Sequence, residues 1–195
     1  ALVSSVQQNS LSAKVTEVLV EQAPAVKLTL VQALAKGDRD ELAIQAATEL
    51  GVWEVVPWQA ERSISRWDEA KRDKGRARWQ TIVTEAAKQS LRAWVPEVAQ
   101  IVGSKELGKL AKGFDSVLVL EPTAEETLAA YASEMTGRIA LVVGPEGGID
   151  PRELELFTAA GAHLVRLGRE VLRTSTAGMA AISVIQAGSG SWGAK

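Results

Sequence analysis

Two glycine-containing loops near the carboxyl end of the chain have the residue types of a ligand-binding site. One reads GPEGG at residues 144–148, and the other reads GREVL at residues 168–172. Glycine has no side chain, so a ligand can approach the backbone closely and bind main-chain amide and carbonyl groups. Apolar residues beside the loops could pack on a flat ring such as adenine; they are Leu120, Leu167, Val171 and Leu172. The pattern predicts a site that holds a small molecule mainly through backbone atoms.

A phosphate-binding loop is the main alternative for this glycine pattern. GPEGG lacks the Gly-Lys-Ser/Thr ending of a P-loop and the GxGxxG spacing of a dinucleotide fold. Its Glu146 would also repel a phosphate group. Either loop taken alone could equally be a structural turn, so the interpretation depends on the elements that position both loops.

Each loop follows a predicted strand and precedes a predicted helix. Before GPEGG lies the apolar strand 139–143, and the next helix begins at Asp150, followed by proline and by Glu153 in the position of a capping box. The second loop lies between a buried strand at 163–167 and an apolar helix at 174–187, which we expect a hydroxyl side chain to cap.

The rest of the chain alternates strands with helices. The predicted order is strand 27–33, helix 38–50, strand 52–57, helix 67–90, an extended stretch at 95–102, helix 105–111, strand 116–120 and helix 124–135. This alternation predicts an α/β fold with a parallel sheet and helices on both faces. Because ligands bind at the carboxyl ends of such strands, segments 120–122, 144–148 and 167–172 are expected to form one crevice.

Composition places the chain among globular proteins and excludes several kinds of site. With 195 residues, 46% of them apolar and 24% charged, it is long enough for one full core and a small appendage. It has no cysteine, and its single histidine, His163, lies in a strand pattern without nearby ligands, so we expect a structural histidine and no metal. No membrane-spanning run or signal peptide is predicted, so the expected location is the cytoplasm.

Charge is distributed unevenly along the chain. The net charge is −2 overall, but residues 61–92 carry +4 and residues 121–160 carry −6. The basic stretch and its flank also contain Trp67, Trp79 and Trp94. Arginines beside aromatic rings can bind RNA phosphates and stack on splayed bases. The alternative is a solvated helix whose tryptophans face the core, and the pattern favours it slightly.

Taken together, the motifs resemble those of the bacterial 16S ribosomal RNA uridine-N3 methyltransferases of the SPOUT superfamily. The similarity covers about residues 28–186. The motifs that carry it are Lys36-Gly37-Asp38, ELGV at 49–52, Glu61-Arg62-Ser63, Trp79, EAAKQSLR at 85–92 with Pro96, GPEGG, and LGREVLRTSTA at 167–177. Similar members carry a glutamate where this chain has Ser175, so no carboxylate role is carried over to that position.

The resemblance implies a SPOUT-type α/β knot, with a mostly parallel sheet and a trefoil knot at the carboxyl end. It also implies a homodimer whose active site lies at the subunit interface. Residues 26–195 would form the methyltransferase domain, and residues 1–25 would be the last strands of a small PUA-like β domain that is truncated here. Periodicity alone shows no knot, and general topology rules would count against one.

The activity that the resemblance implies is methylation of N3 of a uridine in 16S ribosomal RNA, with S-adenosylmethionine as cofactor. The partner would be 16S ribosomal RNA or the small ribosomal subunit, and no membrane or metal is expected. The residues implied for the cofactor are Leu120, Glu121, Pro122, Gly144, Pro145, Glu146, Gly147, Gly148, Leu167, Gly168, Val171 and Leu172.

For the substrate, the resemblance implies Arg62, Gln89 and Arg92, with Arg173 and Arg169 as the catalytic helpers that stabilise a uracil anion. The structural alternative for Arg62 and Arg92 is an ion pair with Glu61 or Glu85. Two other functions stay open at this point: a non-catalytic RNA-binding module, and a small-molecule α/β enzyme that uses the glycine loops for a nucleotide.

Overall fold

The computed structural model describes residues 1–193 as ten strands, six α-helices and one short 3-10 helix. The strands are β1 (Leu2–Gln7), β2 (Ser10–Lys14), β3 (Val26–Ala33), β4 (Glu54–Gln59), β5 (Glu97–Val98), β6 (Val102–Gly103), β7 (Ser116–Leu120), β8 (Glu126–Thr127), β9 (Gly137–Val143) and β10 (His163–Arg166). The α-helices are α1 (Arg39–Glu49), α2 (Glu69–Gln89), α3 (Ser104–Leu110), α4 (Leu128–Ala132), α5 (Pro151–Ala159) and α6 (Thr174–Gly188). The 3-10 helix at Ala111–Gly113 follows α3. The expected domain 26–195 includes two residues, 194 and 195, that lie outside the described part.

Strands β3 to β10 form one sheet in the order β5-β4-β3-β9-β7-β10-β8, with β6 also pairing with β4. Every pairing in this sheet is parallel. The central strands β3 and β9 are almost wholly apolar, as expected for strands covered on both faces. The predicted parallel α/β sheet is confirmed.

Helices cover both faces of the sheet. Helices α1, α2, α4 and α6 pack on one face against a cluster that includes Leu30, Leu118 and Leu141. Helices α3 and α5 pack on the other face, where Trp58 contacts Phe157 edge to face with ring centroids 5.4 Å apart. All carboxyl ends of the parallel strands therefore point to one edge between the two helix layers.

The sequence predicts a capping side chain at the start of α5 and of α6, and only the first prediction is correct. The capping box of α5 is confirmed, since Asp150 accepts from the Arg152 amide and Glu153 accepts from the Asp150 amide. The hydroxyl cap predicted for α6 is wrong. Arg173 occupies the N-cap position without a side-chain cap, because the Thr174 hydroxyl donates to the carbonyl of Gly144 instead.

The predicted helix 124–135 is too long, because part of it joins the sheet. Residues 126–127 pair with β10 as strand β8, and α4 contains only five residues. Strand β8 lies on the far side of β10 from β7, so the β7–β8 connection crosses the end of β10. Arg166 holds this crossing through hydrogen bonds to the carbonyls of Ala124 and Glu125.

A small two-stranded element lies near the start of the chain, at residues 2–14. Strands β1 and β2 make an antiparallel hairpin, and all their side chains are exposed. The hairpin forms no strand pair with the large sheet. No helix within residues 1–193 is long and apolar enough to cross a membrane.

Candidate functional site

The loops after β7, β9 and β10 meet around one cavity of about 450 Å³ at the carboxyl edge of the sheet. This convergence was predicted from the sequence. The cavity is lined by Arg39, Leu120, Glu121, Pro122, Val143, Gly144, Pro145, Glu146, Gly148, Ile149, Val165, Arg166, Leu167, Gly168, Glu170, Val171, Leu172, Arg173, Thr174 and Ala177. Of the twelve residues expected to bind the cofactor, only Gly147 lies outside this lining.

The glycines of the two loops differ in how much an added side chain would disturb the fold around the cavity. A Cβ atom on Gly144 would lie 2.6 Å from Cγ1 of Ile149, so a side chain there cannot be accommodated without movement. Gly148 has a φ of +73°, a conformation that L-residues rarely adopt. A Cβ on Gly168 would meet only the Glu170 carboxylate, at 3.6 Å, so a side chain there would fit the fold.

Glu146 is used to hold the GPEGG loop in place. Its Oε1 accepts from the backbone amide of Lys36 at 3.0 Å and from Nη1 of Arg39 at 2.8 Å. Partial burial favours a higher pKa, but the backbone amides and the Arg39 guanidinium outweigh it and hold the pKa of Glu146 below its ordinary value. The carboxylate is therefore ionised and occupied, which argues against its use as a general base.

Arg39 and Arg166 are cavity residues that sequence reasoning missed. Arg39 directly follows the Lys36-Gly37-Asp38 motif, so its position beside the motif was a signal that could have identified it. Arg166 is the last residue of β10 and gave no such signal, because its partners are carbonyls some forty residues earlier in the chain.

Arg173 lies at the mouth of the cavity as the N-cap residue of α6. Its side chain is exposed, and it forms no ion pair within residues 1–193. Arg169 is also exposed but lies outside the cavity lining. Arg173 is thus a cavity arginine whose charge is not neutralised by a neighbouring carboxylate.

Arg62 lies against the outer side of the GPEGG loop. Its Nη2 is 3.2 Å from Oδ2 of Asp150, and its Nη1 donates to the carbonyl of Gly147 at 3.4 Å. The structural alternative predicted an ion pair of Arg62 with Glu61. Arg62 does form an ion pair, but its partner is Asp150. The ion pair therefore joins Arg62 to the first helix after the loop.

Gln89 and Arg92 lie at the opposite end of the sheet from the cavity. Helix α1 starts at the carboxyl edge and runs back, and Nη1 of Arg92 donates to the carbonyl of Thr48 near its end, at 3.0 Å. Burial lowers the pKa of the Arg92 guanidinium. The alternative pairing with Glu85 is also wrong, since Lys88 pairs with that carboxylate at 2.7 Å. Within one chain, the structure does not bring Gln89 and Arg92 to the loops.

Two of the tryptophans near the basic stretch belong to the core. Trp79 is buried, and its ring lies edge to face with that of Trp67 at 5.1 Å. For this pair the core interpretation is confirmed. Trp94 is half-buried, and its ring centroid is 5.7 Å from that of Trp53. The strand around His163 was expected to be buried, but His163 itself is exposed beside Tyr131.

Comparison with known proteins connects this site to a family. Residues 21–186 match the family of RNA methyltransferase domains. The chain belongs to that family. A Mycobacterium bovis protein, ribosomal RNA small subunit methyltransferase E, is 45% identical to this RNA methyltransferase domain over 172 residues. The match covers 86% of this chain and 65% of the relative, so the chain spans just under two thirds of that protein's length.

Solved structures have the same fold as this RNA methyltransferase domain. A methyltransferase of Legionella pneumophila, in complex with the bound cofactor SAM, has a TM-score of 0.86 and 33% identity; the match covers 95% of this chain and 76% of that one. Ribosomal RNA small subunit methyltransferase E of Neisseria gonorrhoeae, bound to S-adenosyl methionine, has a TM-score of 0.75 and 35% identity, covering 85% and 68%. The mostly parallel α/β sheet is consistent with a SPOUT methyltransferase fold.

Proposed function

We propose that this domain uses S-adenosylmethionine to methylate N3 of a uridine in 16S ribosomal RNA. The observation that carries the proposal is the convergence of three strand-end loops on one cavity, with glycines at two of them. The names and bound cofactors of the relatives support methylation of small-subunit ribosomal RNA with S-adenosylmethionine. An enzyme with this substrate would work in the cytoplasm, beside the small ribosomal subunit.

The cavity residues suit S-adenosylmethionine better than a phosphate-bearing cofactor. The volume of about 450 Å³ lies within the range of small-molecule sites. Leu120, Val143 and Leu167 provide apolar contacts for a ring, and the glycine loops offer backbone groups for its polar atoms, whereas neither loop has the Gly-Lys-Ser/Thr ending of a phosphate-binding loop. When bound, the cofactor supplies an electrophilic methyl group on its sulfonium sulfur. The twelve expected residues remain our assignment for this site.

We assign Arg173 to the uracil, with Arg169 as a second cation nearby. N3 of uracil carries a proton at neutral pH, so the site must favour its loss while it holds the nitrogen in line with the methyl group. A guanidinium near the uracil carbonyl oxygens would stabilise the anion that forms. Arg173 is suited to this role because its charge is unpaired at the cavity mouth.

We propose a homodimer as the active form. Arg62 borders the GPEGG loop, so it can contact RNA at its own cavity. Gln89 and Arg92 lie at the other end of the sheet, and they could contact substrate only at the site of a second copy of the chain. A two-fold dimer that brings this end of one subunit to the loops of the other would complete the site.

We also propose that the carboxyl-terminal part is knotted and that residues 1–25 belong to a PUA-like β domain. Strand β10 lies between β7 and β8, so the connection from β7 to β8 crosses its end, and the chain then continues into α6, which packs against both α1 and α4. That path supports a trefoil knot. The exposed hairpin, which forms no strand pair with the large sheet, supports a boundary between residues 1–25 and the methyltransferase domain from residue 26.

Two measurements test the proposed function. Calorimetry should detect binding of S-adenosylmethionine and its demethylated product, and Gly168→Val should abolish it while the fold is kept. Small ribosomal subunits incubated with methyl-labelled cofactor should gain label at N3 of a uridine in 16S ribosomal RNA. Binding of ATP or NAD instead would indicate the small-molecule enzyme, and binding of RNA without any cofactor would indicate a non-catalytic module. Either result would overturn the proposal.

A further inference from the structure

A buried glutamine lies directly behind the wall of the cavity. Gln32 is on the central strand β3, is fully buried and does not line the cavity. Its Nε2 donates to the Thr174 hydroxyl at 2.9 Å and to the Ala33 carbonyl at 3.1 Å. The Thr174 hydroxyl in turn donates to the carbonyl of Gly144 at 2.8 Å. These bonds form a relay from the core of the sheet to the first residue of GPEGG.

The direction of the relay determines how the glutamine amide is oriented. A threonine hydroxyl has one hydrogen, and Thr174 uses it on Gly144, so it can only accept from Gln32. The NH₂ group of Gln32 must therefore face Thr174, and its Oε1 points elsewhere. Within residues 1–193, this buried Oε1 has no hydrogen-bond partner.

An unpaired buried acceptor lowers the stability of a fold, so its presence calls for a reason. A methionine has nearly the same shape as glutamine and has no acceptor of its own that needs a partner. The chain keeps an amide here, although strand β3 is otherwise almost wholly apolar. The gain must come from what the NH₂ group holds, which is the relay to Thr174 and Gly144.

The relay joins the ends of two loops that form the cavity. Gly144 begins the loop after β9, and Thr174 is the first residue of α6, directly after the loop that follows β10. The bond to the Gly144 carbonyl orients the Gly144–Pro145 peptide, the first peptide of GPEGG. Hydrogen bonds therefore link a single side chain on β3 to the start of this loop and to the end of the other one.

We propose that Gln32 is a positioning residue that preorganises the cofactor loops through Thr174. This inference rests on the proposed function, since it concerns the affinity for S-adenosylmethionine. Preorganisation contributes to affinity because less freedom is lost on binding. A purely structural role for Gln32 would instead be visible as a loss of stability when the amide is removed.

The test compares affinity with stability in four variants. Gln32→Met should weaken S-adenosylmethionine binding about tenfold in calorimetry, the equivalent of one lost hydrogen bond, yet unfold at the same or higher urea concentration than the wild type. Thr174→Val should weaken binding by at least as much, whereas Thr174→Ser keeps the hydroxyl and should restore affinity to within about twofold.

The matched control is Thr29→Val on the same strand. Thr29 is also buried and its hydroxyl donates to Glu54 at 3.0 Å, away from the loops. Its loss should lower stability without changing cofactor affinity. In methyl transfer, Gln32→Met should raise KM for the cofactor more than it lowers kcat.

The outcomes separate this inference from the proposed function. If the wild type binds S-adenosylmethionine and Gln32→Met binds it equally well, the positioning role is wrong. The positioning role is also wrong if Gln32→Met and Thr29→Val show the same ratio of lost stability to lost cofactor affinity. If the wild type itself does not bind the cofactor, the proposed function fails first.

Discussion

The two ends of the parallel sheet use their polar and charged side chains in different ways. At the carboxyl edge, polar side chains such as Glu146 and Thr174 bond to loop backbone and leave a cavity between the loops. At the amino edge, cations lie on aromatic rings instead. Nζ of Lys27 is 5.0 Å from the Trp53 ring centroid, and the guanidinium of Arg138 is 5.1 Å from that of Phe114.

The amino edge forms a continuous row across neighbouring strands. Lys27 and Arg138 are register partners on β3 and β9, and Trp94 extends the row beyond Trp53. Lys27 and Arg138 therefore each already have an aromatic partner. Basic and aromatic residues therefore do not by themselves mark a ligand site. The site forms where glycine loops leave space and where short polar side chains hold the backbone around that space.

Gly144→Val should produce the largest contrast between the edges. Its Cβ would lie 2.6 Å from Cγ1 of Ile149, so the GPEGG loop must shift and the cavity should close. We expect affinity for S-adenosylmethionine to fall by more than about 100-fold, which corresponds to roughly 3 kcal/mol. Gly113→Val is the control, since no atom lies within 4 Å of its Cβ position. If calorimetry gave equal cofactor affinity for both variants, the space kept by Gly144 would not be needed for binding.

Arg173→Ala should separate chemistry from cofactor binding. The unpaired guanidinium at the cavity mouth is assigned to the uracil, so its loss should reduce kcat for methyl transfer by about 10²–10³-fold. Cofactor affinity should change less than about threefold, because we assign cofactor binding mainly to backbone groups of the loops. The control is Arg138→Ala at the amino edge, which should keep wild-type kcat. A parallel loss of affinity and rate in Arg173→Ala would contradict its assigned role.

Asp40 should make stability depend on pH. It is buried in the first turn of α1, and burial raises its pKa to about 6, although the amides of Ala35 and Glu41 donate to it. Since the folded state then binds a proton more tightly than the unfolded state, the free energy of unfolding should fall as pH rises from about 4 to 6, by up to roughly 3 kcal/mol.

Urea unfolding across that pH range tests the expectation for Asp40. Asp40→Asn should remove most of the decrease, because the amide does not ionise. Asp38→Asn, an exposed neighbour, is the matched control and should keep it. An unchanged pH profile in Asp40→Asn would show that the carboxyl is not responsible.

Lys27→Ala should have the smallest effect of the series. It removes a partly exposed cation from the Trp53 ring, which is worth about 0.5–1 kcal/mol of stability at such sites. Cofactor affinity and kcat should both stay within about twofold of the wild type. A larger loss of methyl transfer to ribosomal subunits, with cofactor affinity intact, would show that Lys27 itself contacts RNA.

The fold and the candidate cavity could be predicted largely from local sequence patterns. Buried strands appear as short apolar runs, and the Asp150 capping box identifies a helix start within four residues. The rule that ligands bind at strand carboxyl ends then brings the three loops together without any knowledge of strand order.

The contacts that the sequence could not predict join residues that lie far apart along the chain. Glu146 and Lys36 are 110 residues apart, and Gln32 and Thr174 are 142 apart. No periodicity connects such positions. The same limit explains why Arg92 was grouped with the loops: the motif contains it, but only the direction of α1 and α2 shows that it lies at the other edge.

The central pairing of β3 with β9 has a consequence for synthesis on the ribosome. Strand β3 is made early, but the strand that completes its hydrogen bonding on one side emerges more than a hundred residues later. Until then its apolar edge and surfaces are open to aggregation or to chaperones. Translation speed through residues 34–143 should therefore influence the yield of soluble protein, whereas a protein built from local hairpins would depend on it less.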